Sequence, residues 1–504
     1  MRKPLALICF LCPALLYAQE NKQAAGPGLA PERILTAPTV WFPMVAPTQI
    51  SSNAVAEPDP ARGVPPLACQ TITKQSAGYS SFTWSGLNLP LPVNRLLHVP
   101  VYLDDFQAPG GYSLSFAIQL TNAGGTITYN FSSNAFAPAA WSYLPLWDPS
   151  TPADAAFSKP GSSVVVSDTG FDFAKPVTAI TMVPNNLPAG AKISISSIET
   201  ATKAKPIIVV TDDVTDDSTY LNIVPIMEDA GFRGGLRIGG FKESSYSQGN
   251  VAKLRKAYDN GWDVYNGSWS RGGMNGKTTK ELFESEILEC QTRAKALGFT
   301  RGMTWFSGAG NSLPTFSVCR EMAPKLGLKV LKGGGGLGNV NILRSSGVGD
   351  PAIVTCAGMG GHKAIPATGK RGESTIVLPS VISLREGGAV SGAGIGLGAK
   401  IAPHGIRGNT VTLTVPNTDD IAGPMDFADS LEAHLALADG LIYTGGALVY
   451  FMHNLKPAGD TTSSISFPVE DFTKLVAYWK TKSDQGLVEV VTPSQFDAIM
   501  CGGH

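Results

Sequence analysis

Charge is scarce in this 504-residue chain: 39 Lys and Arg stand against 40 Asp and Glu, charged residues make up 16% of the total, and the formal net charge is −1. No basic surplus marks a nucleic-acid partner. Histidine is rarer still, at six. Of the seven cysteines, the five beyond residue 18 include no Cys-x-x-Cys pair, so a zinc site of that kind is not expected there. Gly-x-Ser-x-Gly elbows and phosphate-binding Gly-x-x-x-x-Gly-Lys-Ser/Thr loops are missing as well. Beyond the N-terminus no apolar run is long enough to span a bilayer. What is abundant is glycine (56) and proline (36), which suits strands and turns better than long helix bundles.

The N-terminus reads as a signal peptide over residues 1–18. Arg2 and Lys3 precede the apolar run Leu5–Tyr17, and Ala18 offers a small residue at the cut. The expected location is secreted or periplasmic, with no membrane span once the signal is removed. Cys9 and Cys12 leave with it; Cys69, Cys290, Cys319, Cys356 and Cys501 remain. They are odd in number and scattered, so a disulfide framework is not implied, although one or two bridges stay open.

Residues 19–71 are rich in Ala and Pro and read as a stiffened linker, in which Trp41 and Phe42 could pack on a neighbour. Residues 72–203 alternate in short β-rich runs such as "YSLSFAIQL" and "TITYNFS", separated by turn residues. The expectation is an all-β sandwich of jelly-roll type. Trp84, Tyr129, Trp141, Tyr143 and Trp147 in it are either sugar-stacking aromatics of a carbohydrate-binding module or ordinary core. Over 205–500, strand and helix patterns alternate, which marks an α/β domain on parallel strands. A Gly-rich, β-leaning stretch at 333–415 reads as an insertion, and "KGGGGLGN" within it as a flexible loop rather than a dinucleotide fingerprint. A helix is expected at 426–438.

The stretch "IIVVTDDVTDDSTY" (207–220) ends a buried strand in four carboxylates. Like charges so close need a cation, a donor network or water. Asp216 and Asp217 fit as caps of the next helix, which leaves Asp212 and Asp213 to explain. Three further strand ends carry polar residues: "GWDVYNGSWSRGG", "WFSGAGNSLP" and "VYFMHNL". In α/β barrels functional residues sit at such ends.

These motifs, in this order, resemble the polysaccharide deacetylase family, also called NodB-homology or carbohydrate esterase family 4. "VTDDV" matches its Thr-Phe-Asp-Asp-Gly motif. "GWDVYNGSWSR", with Gly261, Asn266, Ser268 and Ser270, matches its second motif, and "LVYFMH" its last. The resemblance implies a distorted (β/α) barrel of NodB type, a polysaccharide or peptidoglycan partner, and a hydrolase of acetyl groups with Asp212 as general base and His453 as general acid. It also implies three metal ligands, which fall on Asp213, Gly267 and Arg271. Glycine has no donor and arginine is a permanent cation, so one of three ligands is kept. Without a metal that lowers the pKa of bound water from about 16 to about 7, an ordinary carboxylate at Asp212 faces a deficit of roughly 12 kcal/mol in acidity.

The chain therefore reads as a glycan-binding homologue with lost or weak catalysis and no cofactor, using Asp212, Asp213, Trp269, Arg271, Asn311 and His453. Arg271 is expected to pair with the Asp213 carboxylate in the metal's stead. The alternative is an active N- or O-deacetylase whose divalent, zinc-like site is rebuilt by other residues, with His362 and His404 as the candidates. His98, His434 and His504 read as structural or exposed.

Overall fold

The computed structural model describes residues 39–501 except 60–68, 77–78, 104–114, 133–140, 158–163, 186, 188, 201–205, 215–216, 241–250, 337–342, 345–351, 361, 380, 382–383, 385 and 458–465. The signal peptide and the first part of the expected linker lie outside the described residues.

The chain is mixed α/β with many strands. Its first part forms two antiparallel sheets. One runs in the order 39–42, 198–200, 97–103, 192–196, 69–74, 54–58, with 141–146 also paired to 97–103. The other runs 164–168, 126–132, 115–121, 177–185, 82–89, 49–50. Residues 39–58 are therefore sheet rather than linker: Thr39 pairs with Thr200, and Ala54 with Lys74. Proline-rich sequence hid these strands because each is short and lies at or near a sheet edge, where proline costs no ladder bond. Phe42 is buried, and Trp41 Nε1 donates to the Pro90 carbonyl at 2.7 Å. Trp84, Tyr129 and Trp147 are buried core residues, not exposed sugar platforms. Tyr129 and Trp147 meet edge to face at 5.5 Å, as aromatic pairs in a dry core do.

The second part is built on parallel strands: β1 Ile207–Asp212, β2 Gly235–Ile238, β3 Asp263–Asn266, β4 Trp305–Phe306, β5 Val330–Gly336, β6 Ala352–Gly358, β7 Ala447–Met452 and β8 Glu489–Val491. Pairing runs from β2 through β3, β4, β5, β6 and β7 to β1, and β1 pairs with β2 again, so seven strands close on themselves. β8 joins outside, along the start of β1. Val209, Tyr265, Trp305, Val330 and Val449 belong to one buried cluster, while Ile208, Val210, Leu236 and Val264 belong to another, shared with the helices. Alternating residues face opposite sides of a strand, so these strands are apolar on both faces, as in parallel sheets.

Thr279, Thr315 and Ser430 cap the helices Lys280–Ala296, Phe316–Lys325 and Leu431–Thr444, each accepting a backbone N–H with its hydroxyl. The last of these corrects the helix expected at 426–438, since Ile421–Ala428 is strand. The insertion is also redrawn. Val330–Gly336 and Ala352–Gly358 belong to the barrel itself. The separate unit is a six-stranded antiparallel sheet drawn from His362–Ala428. Glycine-rich strands carry too little side-chain pattern to separate from a loop by sequence. Cys69, Cys290 and Cys319 are buried. Among the described residues no helix is long and apolar enough to cross a membrane.

Candidate functional site

β1 delivers Asp212 and Asp213 to the C-terminal end of the barrel, where both are buried. Other strands of the barrel supply the groups that make this tolerable. Arg237 on β2 stands in register with Tyr265 on β3, and Lys332 lies near the middle of β5. Arg237 Nη1 lies 3.1 Å from Asp213 Oδ2, and Lys332 Nζ 3.3 Å from Oδ1. Tyr265 donates its hydroxyl proton to Asp213 Oδ1 at 3.3 Å. Lys332 also donates to the Tyr265 hydroxyl oxygen at 2.9 Å and to Thr211 Oγ1 at 3.1 Å. The three N–H bonds of the ammonium thus meet three acceptors, and Nζ lies 5.0 Å from the centre of the Tyr265 ring. His453, beyond the end of β7, brings Nε2 to 3.6 Å from Asp213 Oδ2.

The two cations beside the Asp213 carboxylate are therefore Arg237 and Lys332. Arg271 donates instead to the backbone carbonyl of Asp213, at 3.2 Å, which corrects the expected carboxylate pairing. Burial pushes the Asp213 carboxyl up, but the charges of Lys332, Arg237 and His453 outweigh it and hold its pKa at about 2.

Asp212 is the opposite case. Its Oδ1 accepts the Val214 N–H and the Thr219 hydroxyl, both at 2.7 Å. Its buried Oδ2 has no partner among the described residues. Burial is the main cause of a pKa raised to about 7; the Thr219 and Val214 bonds oppose it, and Asp213 adds to it. The ordinary carboxylate expected at this position is thus corrected. Thr219 reaches Asp212 because the chain starts this helix with a π turn, Thr219–Ile223, before Val224–Asp229; π turns recur at functional sites. Asp217 faces solvent and pairs with Lys253, and Asp216 lies outside the described residues.

Of the four non-glycine residues with positive φ among the described residues, three are here: Val214 (50°), Ser268 (71°) and Arg271 (55°). A β-branched residue in that region is a genuine outlier, and such strain collects at functional sites. Ser268 Oγ is buried with no partner among the described residues. Its N–H donates to Asn266 Oδ1 at 2.9 Å, and Glu286 Oε2 accepts the Ser270 N–H at 2.8 Å. These bonds anchor the strained loop. Trp269 is half-buried and packed on the core. Asn311 ends the short turn 309–311 after β4, close in the chain to Gly308, whose carbonyl accepts from Arg237 at 3.3 Å.

The residues present do not fit a divalent ion. A Cβ placed on Gly267 would lie 2.6 Å from Arg237 Cγ and 2.8 Å from Cδ. The stem of Arg237 occupies the space a ligand side chain at 267 would need. Two buried cations face Asp213 besides. Among the described residues no group of three His, Cys, Asp or Glu could hold a metal. His434 is buried in the helix Leu431–Thr444, 2.7 Å from Asp429.

No family model and no curated protein matches the chain. Solved structures do. The peptidoglycan deacetylase PdaC from Bacillus subtilis is 11% identical, covering 60% of this chain and 94% of that one, with a TM-score of 0.29. A CE4 family pseudoenzyme from Bacillus anthracis is 10% identical over 58% of this chain and 66% of its own, also at 0.29. A family 4 carbohydrate esterase from Streptomyces lividans is 21% identical over 25% of this chain and 60% of its own, at 0.20. Scores of this size carry no functional weight, and the chemistry of the site rests on this chain's own residues.

Sequence reasoning missed Arg237, Tyr265 and Lys332. A signal was there. "GLRIGG" and "VLKGG" each place one cation among apolar residues and glycines of a strand, and a charge at such a position demands a buried partner.

Proposed function

We propose that this is an exported, polysaccharide-deacetylase-like protein that binds a polysaccharide or peptidoglycan of the cell envelope at the end of its NodB-type barrel, with catalysis lost or weak. The supporting observation is the neutralisation of Asp213: Lys332 and Arg237 hold the carboxylate that resembles the family's metal-ligating aspartate. Trp269, Arg271 and Asn311 are the proposed substrate-binding residues, at the rim formed by the ends of β3 and β4. The β-rich first part, as a jelly-roll-like sandwich, is the proposed carbohydrate-binding module.

The second reading, an acetyl hydrolase, has one observation in its favour. Asp212 has a pKa of about 7, matched to general-base work near neutrality. It would take a proton from water attacking the acetyl carbonyl, and His453 would protonate the leaving amine or alkoxide. His453, however, is pushed down by burial and by Arg237, Lys332 and Arg271, against the pull of Asp213, so little of it carries the proton that a general acid must give near neutral pH.

One experiment separates the two readings. Retention on acetylated chitooligosaccharides and peptidoglycan is measured beside acetate release, with and without zinc or cobalt. Retention without release supports binding. Release that is abolished in Asp212→Asn overturns it in favour of the hydrolase.

A further inference from the structure

The site holds more positive than negative charge, and this deepens the glycan-binding reading, on which it rests. Arg237, Lys332 and Arg271 contribute three cations. Arg237 and Lys332 contact the Asp213 carboxylate directly, Arg271 its backbone carbonyl, and His453 lies 3.6 Å from the same carboxylate. Against them stand the two buried carboxylates of Asp212 and Asp213. Three cations thus face two carboxylates among the described residues, in a chain whose formal net charge is −1. Lys332 and Arg237 are sealed inside the barrel. Arg271 and His453 are only partly buried and form the outer layer. A ligand arriving at the rim meets the Arg271 fork, backed by the field of two cations that cannot swing away or be screened by salt as surface charges are.

We propose that the glycan is anionic, with a carboxylate or sulfate group on the recognised sugar seated against Arg271 and His453. A planar guanidinium binds either group through paired N–H bonds. An anionic group beside these cations is favoured by their charge, whereas a neutral sugar gains nothing from it.

The test uses the full chain and three hexamers: an oligogalacturonate, a sulfated oligocarrageenan and neutral chitohexaose, by titration calorimetry at pH 6. The expected result is at least tenfold tighter binding of one or both acidic hexamers than of chitohexaose. That preference is expected to be lost in Arg271→Gln and largely kept in Arg271→Lys, with thermal melts confirming that both variants fold. The acidic hexamer preferred, carboxylated or sulfated, identifies the anion. Equal binding of all three overturns the anionic ligand and leaves the glycan reading standing. Binding of none overturns both. An acidic preference unchanged in Arg271→Gln overturns the assigned seat.

Discussion

Gly267 and Arg237 are locked together: a Cβ on the glycine would overlap the arginine stem, at 2.6 Å from Cγ and 2.8 Å from Cδ. The loss of a side chain at 267 and the presence of a guanidinium at 237 are therefore one structural fact. The arginine lies flat across the glycine to reach Asp213, and either alone would leave a void or a clash.

A double-mutant cycle reads this coupling. Gly267→His should destabilise the protein by about 1–3 kcal/mol, the usual cost of overpacking a filled site. In an Arg237→Ala background the added cost of the histidine should shrink but not vanish, because the Ile238 carbonyl oxygen also lies 2.9 Å from that Cβ. Neighbours that share space are non-additive by about 0.5–3 kcal/mol. Urea denaturation of the four proteins gives the coupling energy, and a value near zero would contradict the packing described.

Asp212 and Asp213 set opposite pH slopes. The pKa of Asp212 is raised from 3.8 to about 7 in the fold. Its contribution is complete below the unfolded value and is lost as pH rises through about 7, where a buried charge must form. The pKa of Asp213 is lowered to about 2, so its contribution is present above the unfolded value and lost as pH falls from about 4 toward 2. Asp212→Asn removes the first slope only. The melting temperature of the variant relative to the parent should climb between pH 4 and 8, while the acid limb stays unchanged. A difference that is flat with pH would place Asp212 in a solvated setting.

Much of this was legible from the sequence. "IIVVTDD" announced a buried strand ending in two acids, and the strand–helix alternation after 205 announced parallel strands. Asp212, Asp213, Arg271 and His453 do come together. The partners of Asp213 were not legible, because they lie 24 and 119 residues downstream, on strands whose neighbours in the barrel follow from closure and not from local pattern. Lys332 was further disguised by the glycines after it, which read as a loop but form part of a barrel strand. The edge strands at 39–58 were lost to their prolines, for the reason that makes proline tolerable there.

Lys332→Met tests the buried pair. Methionine fills similar space but leaves the Asp213 carboxylate with one cation fewer, and Tyr265 without its donor. Removing one partner from a buried ion pair costs about 3–5 kcal/mol. Adding Asp213→Asn should recover part of that loss, since the uncompensated charge then disappears. Chemical denaturation of the single and double variants checks both statements; a double variant weaker than the sum of the singles would reverse the assignment.

Zinc and cobalt should leave the melting temperature of the parent protein unchanged, and so should exhaustive treatment with a chelator. Both oxygens of Asp213 are already committed, Oδ1 to Lys332 and Tyr265 and Oδ2 to Arg237 with His453 at 3.6 Å. A divalent ion at that carboxylate would have to approach two buried cations, and at about 4 Å each such encounter costs about 8 kcal/mol even at an effective dielectric constant of about 20. A bound metal stabilises the folded state by mass action, so scanning calorimetry across metal concentrations is a direct readout. The Arg237→Ala, Lys332→Met double variant removes the repulsion but still lacks side-chain donors at Gly267, and its melting temperature should respond to zinc only weakly. A strong zinc-dependent rise in the parent protein would mean that the cations move aside and that the carboxylate's commitment to them is broken by the ion.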